Sequence, residues 1–224
     1  PIDGTRDFIR GRAGWAVSVA LAHRGAVVAA WLYAPVRNEM YAAVRGHGAT
    51  CNHAPLTASK RAEPSGARFP AAHLPGFARD MEASACPNSI ALRMAEIACG
   101  RADVLATVRW GAEWDVAAAD LIAREAGATV TDAHGARMTY NKADPKAFGI
   151  LTTVPATFTV LYWPEGSGDE RRSLVAATPQ NAEAWEEQFA DATDATELPP
   201  LQRCVVLPDL EPDTAYRAQI IGST

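Results

Sequence analysis

The chain has 224 residues, 48% of them hydrophobic and 21% charged, with 21 Lys and Arg against 26 Asp and Glu for a formal charge of -5. That balance is ordinary globular material, enough for one large domain or two small ones, so disorder is not the default reading. It also argues against a nucleic-acid-binding surface, which needs clustered Lys and Arg, and no apolar run approaches the roughly 20 residues that span a bilayer.

Trp15, Val17, Val19 and Leu21 alternate, and the apolar run Val27 to Tyr33 follows a His-Arg-Gly turn. This spacing predicts a strand, a tight turn and a strand. Glu39 to Val44 reads as a third strand after the break at Pro35, and Gly46 and Gly48 then turn the chain into Ala49 to Asn52. The whole segment is an antiparallel meander. Ala58 to Ala83 carries no sustained period and reads as a loop-rich crossover, with a short strand at Arg68 to Ala72.

Asn88 and Ser89 stand where helix caps belong, ahead of Ile90, Ala91, Met94, Ile97 and Ala98 at helical spacing, and Gly100 stops the run. Val104 to Val108 is a short strand. A second helix from Trp114 to Ala126 buries Val116, Ala119, Leu121, Ile122 and Ala126 and ends at Gly127. Ala128 to Asp132 and Phe148 to Thr153 follow as strands. Strands and helices that alternate in this way predict an α/β fold built in layers.

The texture changes after Pro155, which divides the chain into residues 1–155 and a β-rich tail, 156–224. Thr157 to Trp163, Gln202 to Leu207 and Ala215 to Ile221 read as strands, and the acidic, alanine-rich Asn181 to Glu197 as an exposed helix or loop. Cys51, Cys86, Cys99 and Cys204 lie too far apart for a zinc or redox pattern and read as buried free thiols, which fits a reducing cytoplasm. The five histidines have no i, i+4 pairing, and no serine sits in a nucleophile elbow.

Two stretches carry chemistry. In Pro1-Ile2-Asp3-Gly4-Thr5-Arg6-Asp7-Phe8 and in Glu113-Trp114-Asp115-Val116-Ala117-Ala118-Ala119, an aspartate stands directly before a segment with free backbone N–H groups. Hard divalent cations take carboxylate oxygens, and a phosphate takes both such cations and the amides of a turn or helix start. Periodicity alone makes Asp3 a turn residue and Asp115 a helix cap. Arg6, Arg10 and Arg12 read equally as a greeting for an anionic substrate and as a solvated face.

The pair resembles the two signatures of the inositol monophosphatase-like superfamily, D-P-[IL]-D-G-T and W-D-x-A-A, and Gly46-His47-Gly48-Ala49-Thr50-Cys51-Asn52 resembles its G-x-G-A-x-x-N turn. Within it, Gly4-Thr5-Arg6-Asp7-Phe8, Glu113-Trp114-Asp115 and the spacing from Asp103 to Asp115 resemble the 3'(2'),5'-bisphosphate nucleotidase branch. Asn88-Ser89-Ile90-Ala91-Leu92 resembles the substrate-proximal G-S-x-x-L, with Asn88 in place of its glycine.

The resemblance implies the layered α/β sandwich of the sugar phosphatases and a magnesium-dependent phosphomonoester hydrolase. It implies Asp3 as a ligand shared between metals, the Ile2 carbonyl as another ligand and Asp115 as a ligand of the second metal. Gly4 and Thr5 would offer N–H groups to the phosphate beside Asp115, with the Thr5 hydroxyl orienting water, and Trp114 would pack beneath the site. The implied substrate is a small phosphorylated molecule, adenosine 3',5'-bisphosphate first and an inositol phosphate as the alternative. No nucleic acid or membrane partner is implied, and a homodimer is left open.

The first aspartate of the D-P-I-D motif and further acidic ligands would precede Pro1, so the chain is expected to hold metal weakly and to be inactive by itself. In that case a non-catalytic binding module is the alternative. Leu207-Pro208-Asp209-Leu210-Glu211-Pro212-Asp213-Thr214-Ala215-Tyr216 resembles part of a fibronectin type III-like sandwich, which makes the tail a partial β-rich segment.

Overall fold

In the computed structural model, residues 1–75, 78–133 and 135–154 are described, followed by the strands Phe158–Pro164, Arg172–Val175 and Tyr216–Gly222. The chain opens with β1 (Ile2–Asp3) and a short helix α1 (Thr5–Ile9). It then runs through β2 (Ala16–His23), β3 (Ala26–Ala34), β4 (Glu39–Val44), β5 (Ala49–Cys51) and β6 (Ala54–Pro55). These form a six-stranded antiparallel sheet in sequence order, the meander expected from the pattern.

The crossover holds a short parallel pair, β7 (Arg68–Phe69) and β8 (Glu82–Ala83). Next come α2 (Ile90–Ala98), β9 (Val104–Ala112), α3 (Glu113–Glu125), β10 (Thr129–Thr131) and β11 (Lys146–Thr153). The last strands form an antiparallel three-stranded sheet in the order β10-β11-β9. Helices α2 and α3 pack on each other and touch both sheets, which gives the α/β layering that the sequence predicts.

In the tail, β12 (Phe158–Pro164) pairs antiparallel with β13 (Arg172–Val175) and β14 (Tyr216–Gly222). Two of these match the expected strands at Thr157 to Trp163 and Ala215 to Ile221, and β13 was not expected. Gln202 to Leu207 and Asn181 to Glu197 lie outside the described residues.

Small side chains let α3 lie close on the large sheet. Ala16, Ala30, Ala34 and Ala43 are buried beneath it with Leu32 and Tyr41. The alternating Trp15, Val17, Val19 and Leu21 mark β2 correctly, yet Val19 and Leu21 are 50% and 58% exposed on the opposite face. Register places further apolar groups there in rows, with Val19 opposite Trp31 and Trp31 opposite Ala42, and Leu21 opposite Ala29 and Ala29 opposite Val44. Among the described residues, then, this sheet has one face under helices and one apolar face open.

Buried ions brace the layers. Glu96 on α2 accepts from Arg37 at 2.5 Å and from Arg101 at 2.6 Å. Asp103, fully buried, accepts from Ser59 at 2.5 Å and from the Arg68 guanidinium at 2.8 and 2.9 Å, which ties the crossover to β9. The Gly46 and Gly48 N–H groups each donate to the Glu125 carboxylate at 2.8 Å, and Asn52 bonds the backbone of Met40 and Asn38. The G-x-G-A-x-x-N turn is therefore a brace between the sheet and the end of α3.

Candidate metal centre

Asp3 ends β1 at the sheet edge, opposite Ala16, and is only 9% exposed. Its Oδ2 accepts from the Ser89 hydroxyl at 2.6 Å and from the Ala91 N–H at 2.9 Å, in the first turn of α2. The Gly4 N–H also bonds to this carboxylate. Burial pushes the Asp3 carboxyl above the usual carboxylate range, while those bonds and the nearby Arg93 charge pull it down.

Strand carbonyls alternate in direction. The Pro1 carbonyl accepts from the Ser18 N–H at 2.9 Å, so the Ile2 carbonyl turns away from β2 toward the open edge. That is the direction a ligand requires. Gly4 turns the chain into α1 with φ 84°, a left-handed conformation that favours glycine. A Cβ at Gly4 would stand 2.6 Å from the Gly14 carbonyl oxygen and 2.9 Å from the Ser89 nitrogen. Thr5 follows as the first residue of α1, with its side chain exposed, and Arg6, Arg10 and Arg12 are exposed as well.

Asp115 is the third residue of α3 and is half-buried. The Ala112 backbone hydrogen-bonds its carboxylate, the returning half of a capping box. Burial, and next the charge on Asp3, hold the Asp115 carboxyl above the usual range. The two aspartates, distant in sequence, are thus electrostatic neighbours, and the starts of α2 and α3 converge on them. Opposed anions facing helix N-termini suit a bound cation and a phosphate together.

The donor set fits a hard divalent cation in kind, since it consists of carboxylate oxygens with the Ile2 carbonyl beside them. In number it is small. Among the described residues no group of three or more His, Cys, Asp or Glu side chains could hold a metal ion.

Trp114 does not lie beneath the site as expected; it is 52% exposed, because Val116 and Ala117 are the α3 residues turned into the core there. The Glu113 carboxylate is taken by the Asn141 N–H at 2.8 Å and by Lys142 Nζ at 3.2 Å, so it anchors the loop before β11. The pattern marks Ser89 as a cap and as part of the segment resembling G-S-x-x-L, and neither reading assigns it a contact with Asp3. Asp7 Oδ2 likewise faces the Asn88 N–H at 3.4 Å.

A family model described as the inositol monophosphatase family matches residues 1–153. The "Putative Nus factor SuhB" of Neisseria meningitidis serogroup B is 35% identical over 149 residues, 60% of this chain and 57% of that protein. The "Inositol monophosphatase" of Dictyostelium discoideum is 32% identical over 154 residues, 61% of this chain and 56% of that one. The chain spans a little over half the length of these curated relatives. A solved structure of a hypothetical protein from Pyrococcus horikoshii, described as having similarities to inositol-1 monophosphatase, superposes with a TM-score of 0.61 at 27% identity. It covers 68% of this chain and 62% of that one.

Proposed function

We propose, on the premise that the chain belongs to the inositol monophosphatase family, that residues 1–155 are its catalytic part and act in magnesium-assisted hydrolysis of a small phosphate monoester. The observation that carries this reading is the coupling of Asp115 to Asp3 beside two helix starts. Asp3, the Ile2 carbonyl and Asp115 would hold the metal. Magnesium, when bound, supplies positive charge against the phosphoryl oxygens and acidifies water.

The chain's own groups do the positioning. The Gly4 N–H, expected to serve the phosphate, is held by the Asp3 carboxylate, so the Thr5 N–H at the start of α1 would serve a phosphate oxygen and the Thr5 hydroxyl would hold the attacking water by a hydrogen bond. Asp115 orients the ester from the start of α3. With so few carboxylates at the site among the described residues, metal would be held weakly; because Asp3 and Asp115 are electrostatic neighbours, slow residual turnover replaces the inactivity expected from the motifs alone.

The relatives named for inositol monophosphate chemistry support an inositol phosphate as the first substrate. A second reading, 3'(2'),5'-bisphosphate nucleotidase, rests on Glu113-Trp114-Asp115 and on Gly4 to Phe8. Residues 156–224 we assign as a separate partial fibronectin type III-like segment. No helix among the described residues is long and apolar enough to cross a membrane; Cys51, Cys86 and Cys99 are free but half-buried rather than buried as expected, Cys204 lies outside the described residues, and free thiols support a cytoplasmic location.

Phosphate release from inositol 1-phosphate and from adenosine 3',5'-bisphosphate, measured against magnesium concentration, tests the proposal. Slow, magnesium-dependent release that Asp115→Asn abolishes is expected, with the better substrate choosing between the two readings. Release that needs no magnesium, or that survives Asp115→Asn, would place the chemistry elsewhere. No release from either ester at any magnesium concentration would favour a non-catalytic binding module.

A further inference from the structure

Ser89 makes more bonds than a helix cap requires. Its hydroxyl oxygen accepts from the Leu92 N–H at 3.0 Å, which by itself completes the cap of α2. Its one hydroxyl proton goes across to Asp3 Oδ2 at 2.6 Å, and the Ala91 N–H adds a second bond to that same oxygen. Ala91 N–H is one of the donors that a helix start leaves without an internal partner.

The backbone around this contact leaves no slack. The Ser89 N–H donates to the Gly14 carbonyl at 2.8 Å, and Ser89 itself is fully buried. Gly4 lies so close to the Ser89 nitrogen that any side chain there would collide with it. One residue earlier, the Asn88 N–H faces Asp7. The start of α2 is thus fastened to both aspartates of the segment Asp3 to Asp7.

We propose that Ser89 is the positioning residue for Asp3 as a metal ligand: with the Ala91 N–H it commits Oδ2 to α2, so that ligation falls to the other carboxylate oxygen. The inference rests on the metal-site reading above. Outer-shell partners of this kind fix ligand orientation, and losing one weakens metal binding by roughly 10- to 100-fold.

Capping and positioning can be separated, because glycine is nearly as good a helix N-cap as serine yet has no hydroxyl to give Asp3. Tb3+ is a suitable hard-ion probe, since Trp15 and Trp114 adjoin the site in sequence and can sensitise its luminescence. Tb3+ titrations, with Mg2+ as competitor, are compared for the full chain, Ser89→Gly and Ser89→Thr, alongside thermal unfolding without metal. Ser89→Gly is expected to keep most of its unfolding temperature while losing about tenfold or more in Tb3+ affinity. Ser89→Thr, which keeps the hydroxyl, is expected to return most of that affinity. Unchanged Tb3+ affinity in Ser89→Gly overturns the inference and leaves Ser89 a cap. Absence of Mg2+-competable Tb3+ binding in the unsubstituted chain overturns the metal-site reading and this inference with it.

Discussion

Asp3 and Asp115 both keep their protons more firmly than ordinary carboxyl groups, Asp3 through burial and Asp115 through burial and then the charge on Asp3. A raised folded pKa means that the folded chain binds more protons than the unfolded one between the ordinary value of 3.8 and the raised one. Stability from these groups is therefore full below that window and falls as pH rises through it. Without metal at neutral pH the pair works against folding. Asp115→Asn, which keeps an oxygen for the Ala112 N–H, should raise the metal-free unfolding midpoint by about 2 °C at neutral pH and leave it unchanged near pH 3. Thermal scans at both pH values with a chelator check this.

Gly4 makes the complementary prediction. Alanine there would need φ near 84° and would meet backbone atoms of Gly14 and Ser89 on both sides. Gly4→Ala should lower stability by about 2 kcal/mol or more in a urea titration, since strained backbone and blocked packing add. The two aspartates and Gly4 are legible in the sequence only as a pair of motifs, because each taken singly looks like an ordinary turn or cap. The Ser89 contact was not legible, since the local pattern from Asn88 to Leu92 shows a cap and a substrate-proximal segment but nothing of a partner 86 positions away.

At the scale of elements, α2 and α3 begin and end within a residue of the expected positions. Ser89 supplies a side-chain cap and Gly100 and Gly127 take positive φ beyond the helix ends, which are local signals. The faces of β2 were harder to read. Alternation finds a strand, but the larger side chains do not mark its core face when the helix beneath needs small ones, and Ala16, Ala30 and Ala34 fill that role here. Nor could the sequence show that Asp103 braces the crossover rather than serving the site. Burial would raise its carboxyl, but the bonds from Arg68 and Ser59 outweigh burial and hold it below the ordinary range.

A depressed folded pKa contributes stability that is present above the unfolded value of 3.8 and is lost as pH falls through the folded one. Asp103→Ala should accordingly cost about 2 kcal/mol at neutral pH, because the Ser59 hydroxyl and the Arg68 N–H lose their acceptor while the Arg68 guanidinium, 35% exposed, stays partly solvated, and should flatten the acid limb of the stability profile. Urea titrations across the acid range check both effects. In the second sheet, Gly149 sits at φ 64° in the irregularity between Phe148 and Ile150, against the Thr107 carbonyl. Gly149→Ala is expected to disturb the pairing of β11 with β9, seen as earlier amide exchange in those strands.

At the largest scale, the face of the large sheet left open among the described residues is the main departure from a conventional surface. Val19, Leu21, Trp31, Met40 and Val44 are each more than two-fifths exposed and lie on one side. Contiguous apolar surface of this kind binds hydrophobic dyes and promotes association. Replacing Leu21 and Val44 by Lys should reduce dye binding and raise solubility while changing stability by no more than about 0.5 kcal/mol each, since neither lies in the core. Dye fluorescence and urea titration of the double variant check this.

A metal-assisted site here requires Asp3 and Asp115 to share a metal. Anomalous diffraction from crystals of the chain soaked in Mn2+ tests that most directly. A peak is expected between the two carboxylates, within about 2.2 Å of an oxygen from each. A peak held by other residues, or none at these two aspartates, would contradict it.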